Sequence, residues 1–225
     1  MITLYTYFRS SAAYRVRIGL YLKKIEFKNV AVNLLKGEQA TDEYRRLNPM
    51  WAVPMLDHDG YKLTQSLAIL NYIDNLVPEP PLAAGNFQEL AYVRQIALSI
   101  AADLHPLTNL RVLNRVSSDE AERKAWLTHW ATEGMNGVEA LLRERNWHGK
   151  FTMGDQVSVA DLCIVPQLYS MRRFKLPLDN YPICRKIEKN CMALEAFQLA
   201  SPETQPDTPE GLEPIYGPAA QLLAS

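Results

Sequence analysis

The sequence predicts two differently built halves, a mixed α/β domain followed by an all-helical bundle. In the first half, short apolar runs with a period of two alternate with runs of helical spacing, whereas the second half shows helical spacing alone. Three prolines within residues 78–81 separate the halves, because proline continues neither a helix nor a central strand. We therefore expect one domain over residues 1–82, a second over 83–210 and a terminal tail over 211–225.

The first half has the predicted element order βαβαββα. The alternating apolar runs predict strands at 2–6, 27–32, 53–56 and 61–64, and the helical spacing predicts helices at 12–24, 41–47 and 66–77. The turn sequence Asp57-His58-Asp59-Gly60 favours a hairpin between the last two strands. The earlier β-α-β step requires a parallel, right-handed crossover, so the sheet should be mixed.

In the second half, helical spacing predicts three segments, at 86–114, 119–145 and 158–174. The sequence Ser158-Val159-Ala160-Asp161 fits an acidic capping box, in which the Ser158 hydroxyl accepts the N–H of Asp161 and the Asp161 carboxylate reaches back. We assign this box a stabilising role and no chemistry. Beyond about Ser201 the chain is rich in Pro, Thr, Glu and Gly, which predicts an extended tail.

Composition excludes several classes of function. The chain is 48% hydrophobic and has a net charge of −1, and no window clusters Lys and Arg with aromatics, which argues against a nucleic-acid partner. No stretch approaches the roughly 18 apolar residues of a membrane span, and no secretory signal pattern is present, so we expect no membrane partner and a cytoplasmic location. The three cysteines, Cys163, Cys184 and Cys191, lack metal-site or disulfide spacing and are predicted to be buried, with no bound metal.

Residues 9–17 place two hydroxyls, Ser10 and Ser11, where the first strand should be followed by a helix. The first turn of a helix leaves backbone N–H groups unpaired and carries partial positive charge, so either serine could help hold a phosphate, a carboxylate or a thiolate. The alternative is an ordinary serine N-cap. The segment by itself leaves both interpretations open.

Five motifs occur in one order along the chain. They are Tyr5-Thr6-Tyr7-Phe8-Arg9-Ser10-Ser11, Leu47-Asn48-Pro49 with Val53-Pro54, Gln65-Ser66-Leu67-Ala68-Ile69, Gly154-Asp155 with Ala160-Asp161-Leu162, and Gln205-Pro206-Asp207-Thr208. Together they resemble the zeta class of glutathione transferases. The resemblance covers nearly the whole chain and implies a thioredoxin-like first domain, a helical second domain, glutathione as cofactor and a homodimer.

The resemblance implies a set of glutathione contacts in the first domain. Val53-Pro54 would carry a cis peptide bond, and the backbone of Val53 would pair with glutathione as with an added strand. Gln65 and Ser66 would hold the γ-glutamyl carboxylate at a helix N-terminus, with a plain cap as the alternative for Ser66. The remaining implied contacts are Ser11 and Arg15 around the sulfur and Gln39 at the glycyl end.

Ser10 is implied to activate the thiol. A free thiol has a pKa of about 8.5, and lowering it by about two units requires roughly 2.7 kcal/mol of selective stabilisation of the anion. A hydroxyl hydrogen bond and a helix N-terminus can supply this. At the next position but one the class usually has cysteine, and this chain has Ala12. We expect isomerase chemistry to remain available, whereas properties that depend on that cysteine, such as covalent inactivation, become doubtful.

The implied reaction explains several arginines. In this class a thiolate adds to a conjugated cis double bond, the bond rotates, and elimination returns the trans product with glutathione unchanged, as in the conversion of maleylacetoacetate to fumarylacetoacetate. The small dicarboxylate substrate passes through an enolate, so the site needs cations for its acid groups and for developing negative charge. Arg9, Arg111 and Arg173 match such positions, and Arg offers a planar fork for carboxylates. The alternative for an arginine on a helix is a solvated side chain.

Two further residues of the helical half are implied to contact glutathione, and Arg111 is expected to lie with them. His105 precedes Pro106 at a predicted helix kink, where backbone groups are opened, and Asn109 follows nearby. The alternative for His105 is an ordinary interfacial histidine.

Several functions stay open beside the maleylacetoacetate isomerase. One is a maleylpyruvate isomerase, and another is a glutathione transferase that consumes the thiol on small electrophiles such as halogenated acids. A third, from another class, is a noncatalytic module that binds a protein partner, since fold alone does not decide function. The presence of Ser10, Gln65 and Ser66 argues against the noncatalytic module.

Overall fold

A computed structural model describes residues 1–216, and the chain divides into two compact units. One unit combines residues 1–82 with the described residues from Met192 onward, and the other is Ala83–Cys191. The helical domain was predicted to extend to residue 210, whereas residues 192–210 belong to the first unit. Of the predicted tail, residues 217–225 lie outside the described part of the chain.

The first unit is built on a four-stranded mixed sheet in the order β2-β1-β3-β4. The strands are β1 Ile2–Thr6, β2 Phe27–Ala31, β3 Met55–His58 and β4 Tyr61–Thr64. β1 pairs in parallel with β2 and antiparallel with β3, which confirms the crossover and the mixed sheet. The hairpin between β3 and β4 is also confirmed: Asp59 and Gly60 have left-handed φ values of 52° and 91°, as the tight turn requires. The third strand begins at Met55, two residues later than predicted.

Three helices accompany the sheet. They are α1 Ser11–Leu22, α2 Asp42–Leu47 and α3 Ser66–Leu76, and a single 3-10 turn, Glu38–Ala40, precedes α2. α1 is nearly all buried, with Val16, Ile18 and Leu20 at 0% exposure, so it is the central helix of this unit. It ends before Lys24, whose left-handed φ of 52° stops the helical path.

The chain returns to the first unit through α10, Glu195–Ala200, which packs on α1. The Tyr14 hydroxyl donates to the carbonyl of Phe197 at 3.2 Å, and Nε of Arg17 donates to the carbonyl of Ala200 at 3.0 Å. Both donors belong to α1 and are buried. These bonds place α10 in the first unit, although a sequence pattern cannot reveal partners so far apart along the chain.

The residues that follow α10 form turns closed by their own side chains. Nε2 of Gln205 donates to the carbonyl of Ser201 at 2.7 Å, and Oγ1 of Thr208 donates to the carbonyl of Pro202 at 2.5 Å. The prediction of an extended tail beyond Ser201 is therefore wrong for residues 201–208. Polar and proline-rich composition marks turns as well as tails, because short polar side chains satisfy turn backbones.

The second unit is helical. Its helices are α4 Phe87–Leu98, α5 His105–Leu107, α6 Leu110–Val116, α7 Glu120–Glu144, α8 Asp161–Arg173 and α9 Pro182–Met192, the last ending at the unit boundary. The helix predicted over 86–114 is interrupted: a π-helical turn, Ser99–Leu104, widens it, and Asn109 starts α6 by accepting the N–H of Arg111. α9 and α10 were not predicted, although Pro182 at the first position of α9 is a helix-start signal.

The predicted capping box at the start of α8 forms in a modified way. The Asp161 carboxylate, fully buried, accepts the N–H and hydroxyl of Thr152 and the N–H and hydroxyl of Ser158, at 2.6 to 2.9 Å. Asp161 thus reaches back as predicted, but the Ser158 hydroxyl donates to the carboxylate instead of accepting the Asp161 N–H. Burial raises the pKa of Asp161, and the four hydrogen bonds only partly offset that effect.

Across residues 1–216 the helices are all too short or too polar to cross a bilayer. The cysteines Cys163, Cys184 and Cys191 are free and buried, as predicted. Burial raises the pKa of Cys184 and Cys191 well above the usual thiol value, which keeps both thiols protonated and poorly reactive.

Candidate active site

Ser10 lies in the turn between β1 and α1. Its N–H donates to the carbonyl of Tyr7 at 2.9 Å, which closes the turn, and its Oγ accepts the N–H of Ala13 at 3.2 Å as the N-cap of α1. A serine hydroxyl has one donor hydrogen and two acceptor lone pairs. Capping uses the oxygen as an acceptor, so the O–H can still be donated to an anion. The two interpretations of this serine are therefore compatible.

The neighbours of Ser10 are half-buried and polar. Ser11 is the first residue of α1, where backbone N–H groups have no partner within the helix. The Arg9 guanidinium lies over the ring of Phe8, 5.0 Å from its centroid. Nε of Arg9 is buried and has no hydrogen-bond partner among residues 1–216. Residues 9–11 thus present a cation and a helix N-terminus together.

A second anion-binding feature lies at the start of α3. Gln65 has a φ of 70°, an uncommon value for a residue other than glycine, and Ser66 immediately after it begins the helix. Nη1 of the buried Arg15 donates to Oγ of Ser66 at 3.3 Å. This contact brings a guanidinium from α1 to the N-terminus of α3. Two positive features meet there, an arrangement suited to a carboxylate.

The peptide bond between Val53 and Pro54 is cis, as predicted, and Val53 is 8% exposed. The loop before it is fixed from two sides. The Tyr44 hydroxyl and Nδ2 of Asn48 both donate to the carbonyl of Ala52, at 2.8 and 2.6 Å. Burial raises the pKa of Tyr44 to about 12, so this hydroxyl keeps its proton. The backbone of Val53 is accordingly held in one place.

Gln39 lies in the 3-10 turn before α2 and is half-buried. Its Oε1 is buried, and the described residues supply no donor to it. Of the residues predicted in this unit, the structure joins Arg15 and Ser66 by a direct hydrogen bond and places Arg9, Ser10 and Ser11 on consecutive positions at the start of α1.

The predicted residues of the second unit lie at helix ends and at the break between α4 and α6. His105 directly follows the π-helical turn and is half-buried, and π-helical turns are frequent at functional sites. The side-chain oxygen of Asn109 accepts the N–H of Arg111 at 3.1 Å. The side chain of Arg111 is exposed. Arg173 lies in the last turn of α8 with its guanidinium 4.1 Å from the centroid of the Phe174 ring.

Two residues contact the Ser10 turn without having been predicted to act there. The Asp207 carboxylate accepts the N–H of Phe8 at 2.9 Å. Arg17, at 0% exposure, donates to the carbonyl of Phe8 at 2.9 Å and to that of Tyr7 at 3.4 Å. A signal existed for each, because Arg17 interrupts an apolar run and Asp207 lies in one of the five motifs.

Comparison with known proteins identifies the family. Residues 1–75 match the family described as "Glutathione S-transferase, N-terminal domain". Maleylacetoacetate isomerase of Mus musculus is 44% identical over 211 residues, which cover 93% of this chain and 96% of that protein. The holo structure of a maleylpyruvate isomerase, a bacterial zeta-class glutathione S-transferase, has a TM-score of 0.89 at 36% identity and covers 92% of this chain and 100% of that one.

The chain belongs to the zeta class of glutathione S-transferases. Another structural relative is a maleylacetoacetate isomerase of Anaeromyxobacter dehalogenans with glutathione bound in its active site. Its TM-score is 0.84 at 38% identity, and the match covers 93% of this chain and 98% of that one. Zeta-class membership confirms the predicted fold class, a mixed α/β unit joined to a helical one. Ala12, where the resemblance implies a cysteine, lies in the first turn of α1.

Proposed function

We propose that the protein is a glutathione-dependent cis-trans isomerase that converts maleylacetoacetate to fumarylacetoacetate. The observation that carries the proposal is the geometry of Ser10, whose oxygen caps α1 while its O–H remains available to an anion at the helix N-terminus. The 44% identity to an isomerase over nearly the whole chain supports the same reaction.

Glutathione fits the residues of the first unit. It is an extended peptide with a γ-glutamyl carboxylate at one end, a thiol in the middle and a glycyl carboxylate at the other end. The N-terminus of α3, where Arg15 contacts Ser66, suits the γ-glutamyl carboxylate, with Gln65 beside it. The fixed backbone of Val53 suits the peptide groups of an added strand. Gln39 is assigned to the glycyl end.

The chemistry divides between cofactor and protein. Glutathione, when bound, would supply a thiolate able to add to the conjugated double bond and to leave again, which would allow that bond to rotate. Ser10 holds the sulfur as an anion by donating its O–H, and Ser11 adds an N–H group of the first helical turn. Arg15, expected beside the sulfur, instead donates to Ser66 and is assigned to the γ-glutamyl carboxylate. Lowering the thiol pKa by about two units corresponds to roughly 2.7 kcal/mol. Arg9 stabilises the negative charge that develops on a substrate oxygen.

The helical unit contributes the remaining assigned residues. Arg111 and Arg173 are assigned to the substrate carboxylates, because a planar guanidinium binds a carboxylate through two hydrogen bonds. Arg111 is also assigned to glutathione, together with His105 and Asn109. For Asn109 this contact involves the side-chain NH2 group, since the side-chain oxygen already caps α6.

Replacement of Arg173 should separate binding from chemistry. A charge-assisted hydrogen bond contributes about 1.5 to 3 kcal/mol, so Arg173→Met should raise KM for the diacid at least about tenfold. Arg173→Lys should recover part of this loss, because lysine keeps the charge without the fork. The matched control is Arg185→Met, which removes an exposed arginine paired with Asp179 at 3.5 Å in the same unit and should leave KM unchanged. An unchanged KM for Arg173→Met would remove this residue from substrate recognition.

A spectrophotometric assay with cis-enone diacids tests the reaction itself. Isomerisation that requires glutathione but leaves its concentration constant is the expected result, and progressive loss of the thiol would show a transferase acting on electrophiles. Comparison of kcat/KM for maleylacetoacetate and maleylpyruvate separates the two isomerase activities. The second substrate is a serious candidate because a maleylpyruvate isomerase has the same fold at a TM-score of 0.89. Absence of any turnover would favour a noncatalytic binding module.

We also propose that the protein acts as a homodimer in the cytoplasm. Two neighbouring side chains of the first unit, Met50 and Trp51, are 52% and 49% exposed, and exposed apolar groups of this size are common at protein contacts. Sedimentation should give the mass of a dimer, and a monomer at micromolar concentration would contradict the assignment.

A further inference from the structure

We propose that Asp207 is a positioning residue that holds the Ser10 hydroxyl in place through the turn formed by residues 7–10. The inference rests on the function proposed for Ser10. Asp207 is 199 positions from Phe8 along the chain, and its side chain contacts the turn: Oδ2 accepts the backbone N–H of Phe8 at 2.9 Å.

Phe8 is fixed on both of its backbone polar groups by side chains from elsewhere. Its N–H is bound by Asp207, and its carbonyl accepts Nη2 of Arg17 at 2.9 Å. The side chain of Phe8 is itself buried, at 2% exposure. A residue held at its N–H, its carbonyl and its ring has little freedom to move.

Because Phe8 lies inside the tight turn that ends at Ser10, the bonds that fix Phe8 also restrict the position of Ser10. The carbonyl of Tyr7 accepts the N–H of Ser10 at 2.9 Å and Nη1 of Arg17 at 3.4 Å. Tyr7 and Ser10 are therefore the two ends of a turn whose second residue is Phe8. Hydrogen bonds weaken steeply with angle, so a shift of this turn would misalign the donated O–H.

Asp207 is a firm anchor because its own segment is braced. Nε2 of Gln205 donates to the carbonyls of Ser201 and Leu199, at 2.7 and 2.9 Å, and Oγ1 of Thr208 donates to the carbonyl of Pro202. Oδ1 of Asp207 is buried and has no hydrogen-bond partner within residues 1–216. A neutral acceptor would bind the Phe8 N–H without burying a charge, but a carboxylate makes the stronger bond.

The test measures the ionisation of bound glutathione. The ultraviolet absorbance of the thiolate is followed against pH in complexes of the full-length protein, wild type, Asp207→Asn and Asp207→Ala. Loss of the Asp207 hydrogen bond should raise the pH midpoint of thiolate formation by about half a pH unit in Asp207→Ala, because Ser10 is then less well placed. The weaker bond in Asp207→Asn should raise it by less. The value of kcat should fall about threefold to tenfold for Ala, while KM for glutathione changes less than about twofold. If the Ala variant fails to fold, the Asn variant alone must show the upward shift.

Two controls distinguish positioning from general stability. Asn86→Ala removes the N-cap of α4 in the helical unit, which makes no bond to the turn or to the segment of Asp207, so it should lower the melting temperature without moving the midpoint of the thiolate titration. In a Ser10→Ala background, Asp207→Ala should cause no further shift of the midpoint, because the effect passes through Ser10.

The outcomes separate this proposal from the one on which it rests. An unchanged midpoint in the Asp207 variants, with a shift in Ser10→Ala, would overturn the positioning role and leave Ser10 as the activating group. An equal shift in Asn86→Ala would also overturn it, since a general loss of stability would then explain the effect. No shift in Ser10→Ala itself would overturn both proposals.

Discussion

Ser10→Ala is expected to lower isomerase turnover at least about tenfold, which corresponds to about 1.4 kcal/mol in the barrier. The substitution removes the O–H that is proposed to hold the thiolate and also removes the acceptor that caps α1 through the N–H of Ala13. The loss should grow towards low pH, because a thiol with a higher pKa is less ionised there. The measurement is kcat at saturating glutathione and substrate, taken across a pH series.

The first turn of α1 supplies a control for that experiment. Ala12 stands where the class usually has cysteine, and Ala12→Cys should change turnover little, since activation is assigned to the hydroxyl. Loss of the Ser10 cap also costs about 1 kcal/mol of stability, so both variants should be compared at temperatures well below their melting transitions. Equal turnover of Ser10→Ala and the parent protein would remove Ser10 from the mechanism.

Asp161→Ala is expected to destabilise the protein by about 3 kcal/mol or more, the largest stability effect anticipated from a single side chain. The substitution leaves the buried N–H groups of Thr152 and Ser158 without their acceptor, whereas the two hydroxyls can rotate towards other partners. Each buried, unpaired N–H costs about 1 to 3 kcal/mol. Urea denaturation should show a lower midpoint with an unchanged slope.

Asp155→Ala is the matched control for the Asp161 substitution. Asp155 is an exposed carboxylate between Thr152 and Ser158, so its removal should cost less than about 0.5 kcal/mol. Similar losses of unfolding free energy in the two variants would show that the four hydrogen bonds of Asp161 add little stability beyond the effect of removing a negative charge from this loop.

The elements that the sequence predicts correctly are those with short-range causes. The hairpin follows from Asp59 and Gly60, which adopt the left-handed angles of a tight turn, and the strands follow from apolar alternation over a few residues. The start of α1 after Ser10 follows from the preference of serine for the N-cap. In each case the residues that determine the structure are neighbours along the chain.

The errors have long-range or mixed causes. The segment 201–208 has the composition of a tail, yet Gln205 and Thr208 close its turns, and its place in the first unit depends on contacts with α1. The continuous helix expected over 86–114 was wrong because a π-helical turn and the cap supplied by Asn109 interrupt it, and helical apolar spacing alone marks neither interruption.

The candidate site shows the same division. The roles of Ser10 and Ser66 and the cis bond before Pro54 were predicted from the family resemblance that the five motifs carry together, and the cis bond is confirmed. The bracing of the turn by Arg17 and Asp207 was not found, because the carboxylate of Asp207 and the N–H of Phe8 are 199 positions apart. Composition and periodicity describe local environments, so such a pair can be recognised only in the folded chain.

This separation has a consequence for the order in which the protein is made. The helical unit, Ala83–Cys191, is one uninterrupted stretch of chain, whereas the unit that carries Ser10 is completed only by residues beyond Met192. On the ribosome, the helical unit can thus fold from one uninterrupted stretch, whereas the unit that carries Ser10 is incomplete until residues 192–216 have been synthesised. Chimaeras that exchange the two units should therefore be joined at two points, near residues 82 and 192, so that Arg17 keeps its partner in α10.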